Sequence, residues 1–350
     1  MQPAKRLSTC GLWVLTCGAV LLGACHRQST EERVYVSAEQ SDEVVVIDPA
    51  RARVMARIGV GKRPRGIALS RDGAQLYVAQ TGSPRAGPNV DESSLPPADR
   101  AADGVGVVGL SEQRMLRSLS AGRDPETFAL SHDGRSLFVA NEETAELSQL
   151  DLASGKVTHR FAVGRQPEGV AVRPDDAVVY VACEEDDVVV AVDVHTGAVL
   201  ARIATGKRPR AIAFRQDGHE AFVTNELDAS LTVIDTQQQR AVATIALAGD
   251  AGHAPVRPMG IVRSADGKHM YVSTGRGGSI IEVEIAGRKR TRVFADVGAR
   301  PWGIALSRDG RHLYSANGPS NDLTIVELDT GKLRHVAVGG SPWGVVSTQH

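Results

Sequence analysis

The chain has 350 residues, of which 42% are hydrophobic and only 4% aromatic, so it is globular in composition but poor in the large anchors of one thick core. Its 40 basic and 41 acidic residues leave a net charge of −1, which removes any general electrostatic case for nucleic-acid binding. No composition shift marks a boundary, so the length implies either two domains or one large body built from many thin layers.

The first 25 residues, MQPAKRLSTCGLWVLTCGAVLLGAC, combine Lys5 and Arg6 with a short apolar run and small residues, the pattern of a secretory signal. Leu22-Gly23-Ala24-Cys25 resembles a bacterial lipobox, which implies cleavage before Cys25 and lipidation of its thiol. With His26 next and no aspartate there, an outer-membrane anchor facing the periplasm is expected, and residues 26–33 read as a polar tether. Cys10 and Cys17 lie in the signal, so Cys183 is left without a partner and no disulfide framework is available.

From Val34 onward the chain repeats. Tyr35, Tyr77, Phe138, Tyr180, Phe222, Tyr271 and Tyr314 open equivalent runs, and each repeat holds four strand-like segments: A (GIALS type), B (YVAN type), C (VVVID type) and D (VMARI type). Four strands repeated every 40-odd residues predict an all-β, seven-bladed propeller of four-stranded antiparallel blades, one domain over 34–350. Six repeats carry an aspartate turn between A and B, at Asp72, Asp133, Asp175, Asp217, Asp266 and Asp309. The seventh has none, because the N-terminus supplies B, C and D of one blade and the C-terminus supplies its A, so the two ends close the ring.

FVTN at 222–225, with FVAN and YSAN elsewhere, resembles the YVTN family of propeller repeats, and the segment from Arg300 to Val346 resembles propeller proteins associated with PQQ-dependent alcohol catabolism. That resemblance implies a secreted bacterial protein, mostly without demonstrated catalysis, in the company of quinoprotein dehydrogenases.

The D-to-A and B-to-C connections should share one face. Two insertions fall in them, residues 83–104 and 248–256, and on a rigid scaffold such loops carry function. The residues flanking the D-to-A prolines suggest a divided rim. One arc carries Trp302, Trp343, Met259, Arg63, Arg65, Arg257 and Arg300, types frequent among binding anchors. The other carries Asp124, Glu126, Glu168 and the loop Glu184, Glu185, Asp186 and Asp187. No EF-hand pattern surrounds that acidic loop, so no metal is expected, and Leu22 stands where a haem-attachment motif ending at Cys25-His26 would need cysteine. The expectation is a monomeric, periplasmic, lipid-anchored binding or scaffold protein without a cofactor. Its partner would be a protein, a quinoprotein dehydrogenase or cytochrome. One alternative is a lactonase-like hydrolase, with Arg208, Arg257, Glu168 and His253 as its candidate residues. Another is a propeller that binds a haem d1-like tetrapyrrole, for which only His253 could be a ligand.

Overall fold

The middle strands of each repeat are apolar on both faces, so a repeat is stable only between two others. The computed structural model describes residues 31–85, 94–248 and 255–348, and in it seven four-stranded antiparallel sheets stand around a ring. The ring lies within one unit, Glu32–His350. Cys25, His26, Cys10 and Cys17 lie outside the described residues, as do His253 and the parts of the two insertions at 86–93 and 249–254.

Strand order is A-B-C-D in every blade. The A strands are innermost and touch the A strands of neighbouring blades. The D strands are outermost, with alternating exposed residues as in Arg53–Gly59, while B strands such as Val178–Cys183 are buried throughout. Apolar clusters fill each of the seven seams between blades. At one seam Tyr180, Val189 and Ala191 meet Val223 and Ile234. Small β-branched residues in thin layers are therefore enough for a core with few aromatics.

The ring closes as the repeat predicts. The C-terminal A strand, Pro342–Ser347, pairs with the first B strand, Val34–Ala38. Val34 faces Ser347, Tyr35 faces Val346 and Val36 faces Val345. Beyond them Thr348 donates its N–H to the Arg33 carbonyl at 2.9 Å, and the Arg33 N–H donates to Thr348 Oγ1 at 3.0 Å. Between A and B in the other blades the predicted aspartates shape the turn. The Ala74 N–H donates to Asp72 Oδ1 at 3.0 Å, and the same bond recurs at Asp133, Asp175, Asp217, Asp266 and Asp309. The next position needs a left-handed backbone. Glycine supplies it at Gly73, Gly134, Gly218, Gly267 and Gly310, and Asp176, with φ 58°, does so in blade 4.

Candidate active site

Each D-to-A connection ends in a proline, and in six of the seven, all but that of Arg257, the residue before it is forced into an unusual backbone. Arg63, Asp124, Gln166, Arg208, Arg300 and Ser341 have φ between 44° and 60°, a region that is costly for these side chains and is held by surrounding bonds. Acidic or amide side chains of the preceding B-to-C loops supply those bonds. Asp42 accepts from the Arg63 N–H at 3.0 Å, Asp187 from that of Arg208 at 2.9 Å and Asn321 from that of Ser341 at 2.9 Å.

The residue after each proline turns its side chain toward the axis, and the next one is small. A Cβ on Gly260 would lie 2.5 Å from the Trp302 carbonyl oxygen, and one on Gly344 2.6 Å from that of Arg65, so adjacent A strands pack backbone against backbone. Hydroxyls of the preceding blade fix the axial residues by their carbonyls. Ser37 donates to Arg65 at 2.6 Å, Thr224 to Met259 at 2.8 Å and Ser273 to Trp302 at 2.7 Å.

Around the ring this layer reads Trp343, Arg65, Glu126, Glu168, Arg210, Met259, Trp302. Two ion clusters result. Arg65 pairs with Glu126 and with Glu39, at 3.3 Å, and Glu39 also holds Arg63 at 2.8 Å. Arg210, only 8% exposed, pairs with Glu168, with Glu184 and with Glu226 at 2.7 Å, while Arg208 reaches Glu184 at 2.7 Å. Trp302 and Trp343 stack with centroids 5.5 Å apart. The guanidiniums of Arg300 and Arg210 lie 4.7 and 5.8 Å from the Trp302 ring centre, within cation–π range. Glu168, Arg210, Met259, Trp302 and Trp343 line a cavity of about 200 Å³ whose remaining wall includes Val170, Ile212 and Ile304.

The two expected arcs do not stand apart. Arg63 and Arg65, assigned to the binding arc, are paired with Glu39 and with Glu126 of the acidic arc, because opposite charges on neighbouring blades meet in a half-buried layer where water screens them poorly. Met259 is buried, at 4% exposure, and contributes wall more than rim. The acidic loop is likewise committed to cations: Glu185 and Asp186 hold Arg165 at 3.1 and 2.8 Å, and Asp187 holds Lys207 at 2.6 Å. Asp124 accepts from the Thr81 hydroxyl. Among the described residues only Arg257, Arg276 and Arg300 near the mouth make no ion pair, and all three belong to the sector of blades 6 and 7. Of the four candidate hydrolase residues, Glu168 and Arg208 join one cluster, Arg257 stands outside it, and His253 is not described. No described histidine lines the cavity.

Sequence reasoning missed Glu39 and Glu226 and gave Arg210 no role. A signal existed. Glu39, Glu142, Glu184 and Glu226 all follow the last residue of strand B in their blades, so stacking the repeats places four acids at one level of the mouth.

Burial, reinforced by the neighbouring Glu168 carboxylate, pushes the Glu184 carboxyl from its ordinary 4.5 up to about 8. Between those values the native state keeps a proton that the unfolded chain has released, so stability falls as pH rises from about 4.5 and levels off above about 8. Glu184→Gln is expected to flatten this slope, which thermal melts of both proteins across pH 5–9 will read. A variant that melts with the wild-type pH dependence would place the proton elsewhere. Burial also pushes the Cys183 thiol up to about 12, so it is an inert core residue at the end of strand B.

Comparison with known proteins adds a family model described as lactonase, seven-bladed β-propeller, which matches residues 174–342, just under half of the chain. A curated relative, antigen Lp49 of Leptospira interrogans, is 30% identical over 161 residues, covering 35% of each protein. The chain thus spans about a third of that relative's length. Two solved structures share the fold. A periplasmic gluconolactonase of Pseudomonas aeruginosa matches with a TM-score of 0.73 at 21% identity, over 91% of this chain and 99% of that one. A putative 6-phosphogluconolactonase of Bacteroides uniformis matches with 0.71 at 16%, over 91% and 100%. The lactonase match overturns the order of the functional expectations: the non-catalytic scaffold, placed first by the sequence, gives way to the hydrolase placed second. Of the propeller resemblance, the coarser statement holds: the chain is a seven-bladed β-propeller of four-stranded antiparallel blades closed by its own two ends.

Proposed function

We propose that the chain hydrolyses lactones at the mouth of the ring. The observation that carries this reading is the buried Arg210 cluster opening on the cavity, in which Glu168 faces the cavity and shares a hydrogen bond with the proton-holding Glu184. The lactonase match over residues 174–342 supports it, since that stretch contains Glu184, Arg210 and Trp302.

In the reaction water adds to the ester carbonyl, the ring C–O bond breaks, and the departing alkoxide takes a proton to give a hydroxy acid. Glu168 is placed to take the proton of the attacking water, and Glu184, hydrogen-bonded to it behind the cavity wall, holds the proton that passes through Glu168 to the leaving oxygen. Two carboxyls sharing one proton can divide acid and base work in this way. Arg210 orients both and sets a fixed positive charge beside the carbonyl oxygen as it becomes an oxyanion. The rate should then fall as pH rises past about 8, where Glu184 loses its proton.

Glu168→Gln keeps the shape and removes the base. It is expected to lower kcat about 10²-fold or more on any lactone the wild type opens, with the fold intact by circular dichroism. Undiminished turnover would remove the carboxyl pair from the reaction. The Cys25 anchor belongs to this proposal as the element that would hold the enzyme in the periplasm, and so does the association with PQQ-dependent alcohol oxidation.

A further inference from the structure

We propose that the preferred substrate is a lactone with an apolar body and one carboxylate arm, rather than a polyhydroxylated sugar lactone. This rests on the hydrolase reading above and narrows its substrate. Two independent features of the mouth carry it.

The first is how little free hydrogen-bonding capacity the cavity has. Its wall between Glu168 and the indoles is Val170, Ile212, Met259 and Ile304. Of the polar side chains that line it, Thr127 donates its hydroxyl to the Glu168 carbonyl and Arg210 is surrounded by three carboxylates, which leaves the Glu168 carboxylate and the two indole N–H groups to meet a ligand. A sugar lactone brings several hydroxyls, and each one buried without a partner costs about 1–3 kcal/mol. An alkyl or aryl body meets the stacked Trp302 and Trp343 instead, and nothing is left unsatisfied.

The second is a local excess of positive charge. Where blades 1, 3, 4 and 5 place an acid after strand B, blades 6 and 7 have Thr274 and Gly318, so among the described residues that position offers no ion-pair partner to the arginines of this sector. Arg300 is half-buried against Trp302 and has no carboxylate within ion-pair distance among the described residues; the more distant Glu226 attracts it, while Arg276, Arg210 and Arg85 repel it. An equivalent arginine two blades earlier, Arg208, has Glu184 at 2.7 Å. The missing partner at Arg300 is a carboxylate supplied by the ligand, one ring's width from the cavity. A guanidinium matches that group with two parallel N–H donors.

The test compares three substrates with the full chain: γ-nonanolactone, the same γ-lactone ring carrying a side chain that ends in a carboxylate, and glucono-1,5-lactone. The carboxylated lactone is expected to exceed gluconolactone at least tenfold in kcat/KM, and Arg300→Gln is expected to lower its kcat/KM at least tenfold more than that of γ-nonanolactone. Gluconolactone as the best substrate, or an equal effect of Arg300→Gln on both γ-lactones, would overturn the proposal. If no lactone is opened, the hydrolase reading fails on its own. The ligand preference is then decided by tryptophan fluorescence with octanoate and gluconate, two carboxylates that differ in their bodies. Quenching by octanoate alone upholds the apolar site, and equal or reversed responses reject it.

Discussion

Deletion of residues 342–350 is expected to abolish the native ring. The deletion removes the innermost strand of blade 1, leaves the inner edge of Val34–Ala38 without a partner, and uncovers the seam where Val345 and Val36 pack on Tyr314 and Ile325. It also leaves an apolar strand edge open to other chains. Propeller stability is a sum over neighbouring blades, and a closed ring has no terminal blade able to tolerate an exposed face. The loss should therefore exceed the ~5–15 kcal/mol that ordinarily separates native from unfolded states. The expected observation is loss of the cooperative melt and of the monomer peak in size exclusion. Addition of a peptide spanning 340–350 should restore part of both, as a donated strand does. A truncated chain that melts within a few degrees of the intact one would show that the terminal clasp is dispensable.

Arg210→Met should have the next largest effect. The arginine is 8% exposed and its removal leaves Glu168, Glu184 and Glu226 facing one another without it. Breaking a buried pair from one side costs about 3–5 kcal/mol. The cost should be large at pH 8 and smaller at pH 5, because carboxyls relieved of the arginine bind protons more readily and become neutral as pH falls. Denaturant midpoints at the two pH values measure this. Equal losses at both would mean that Arg210 acts by filling space. The variant should also be inactive on lactones at either pH.

Much of the fold was legible because its signals are local or periodic. The Asp72 type of turn, the apolar B strands and the interrupted last repeat need only residues a few positions apart. The mouth was half legible. The prolines mark which side chains face the axis, and Trp302, Trp343, Glu168 and Arg300 were found that way. The charge pattern was misread because Arg65 and Glu126 are sixty-one positions apart along the chain and adjacent only across a seam between blades. Glu226 was overlooked because a single glutamate after FVTN looks like an ordinary surface residue until its blade is set beside that of Glu184. The functional order was misjudged for a related reason: the carboxyl pair of the proposed reaction comes from the ends of two different strands of blade 4, and no spacing in the sequence announces that Glu168 and Glu184 meet on one arginine from blade 5.

The path of the chain into the ring has a consequence for orientation. Val34 begins strand B at the end where the A-to-B turns lie. Just before it, the Glu32 carboxylate accepts the N–H of Arg308, a residue of such a turn, at 3.1 Å, while the cavity opens at the opposite end of the strands. The polypeptide therefore leaves the disc through its back. The first described residues of the ring are thus fastened on the face opposite the aperture, so a substitution at Glu32 or Arg308 would loosen the back of the disc without touching a wall of the cavity.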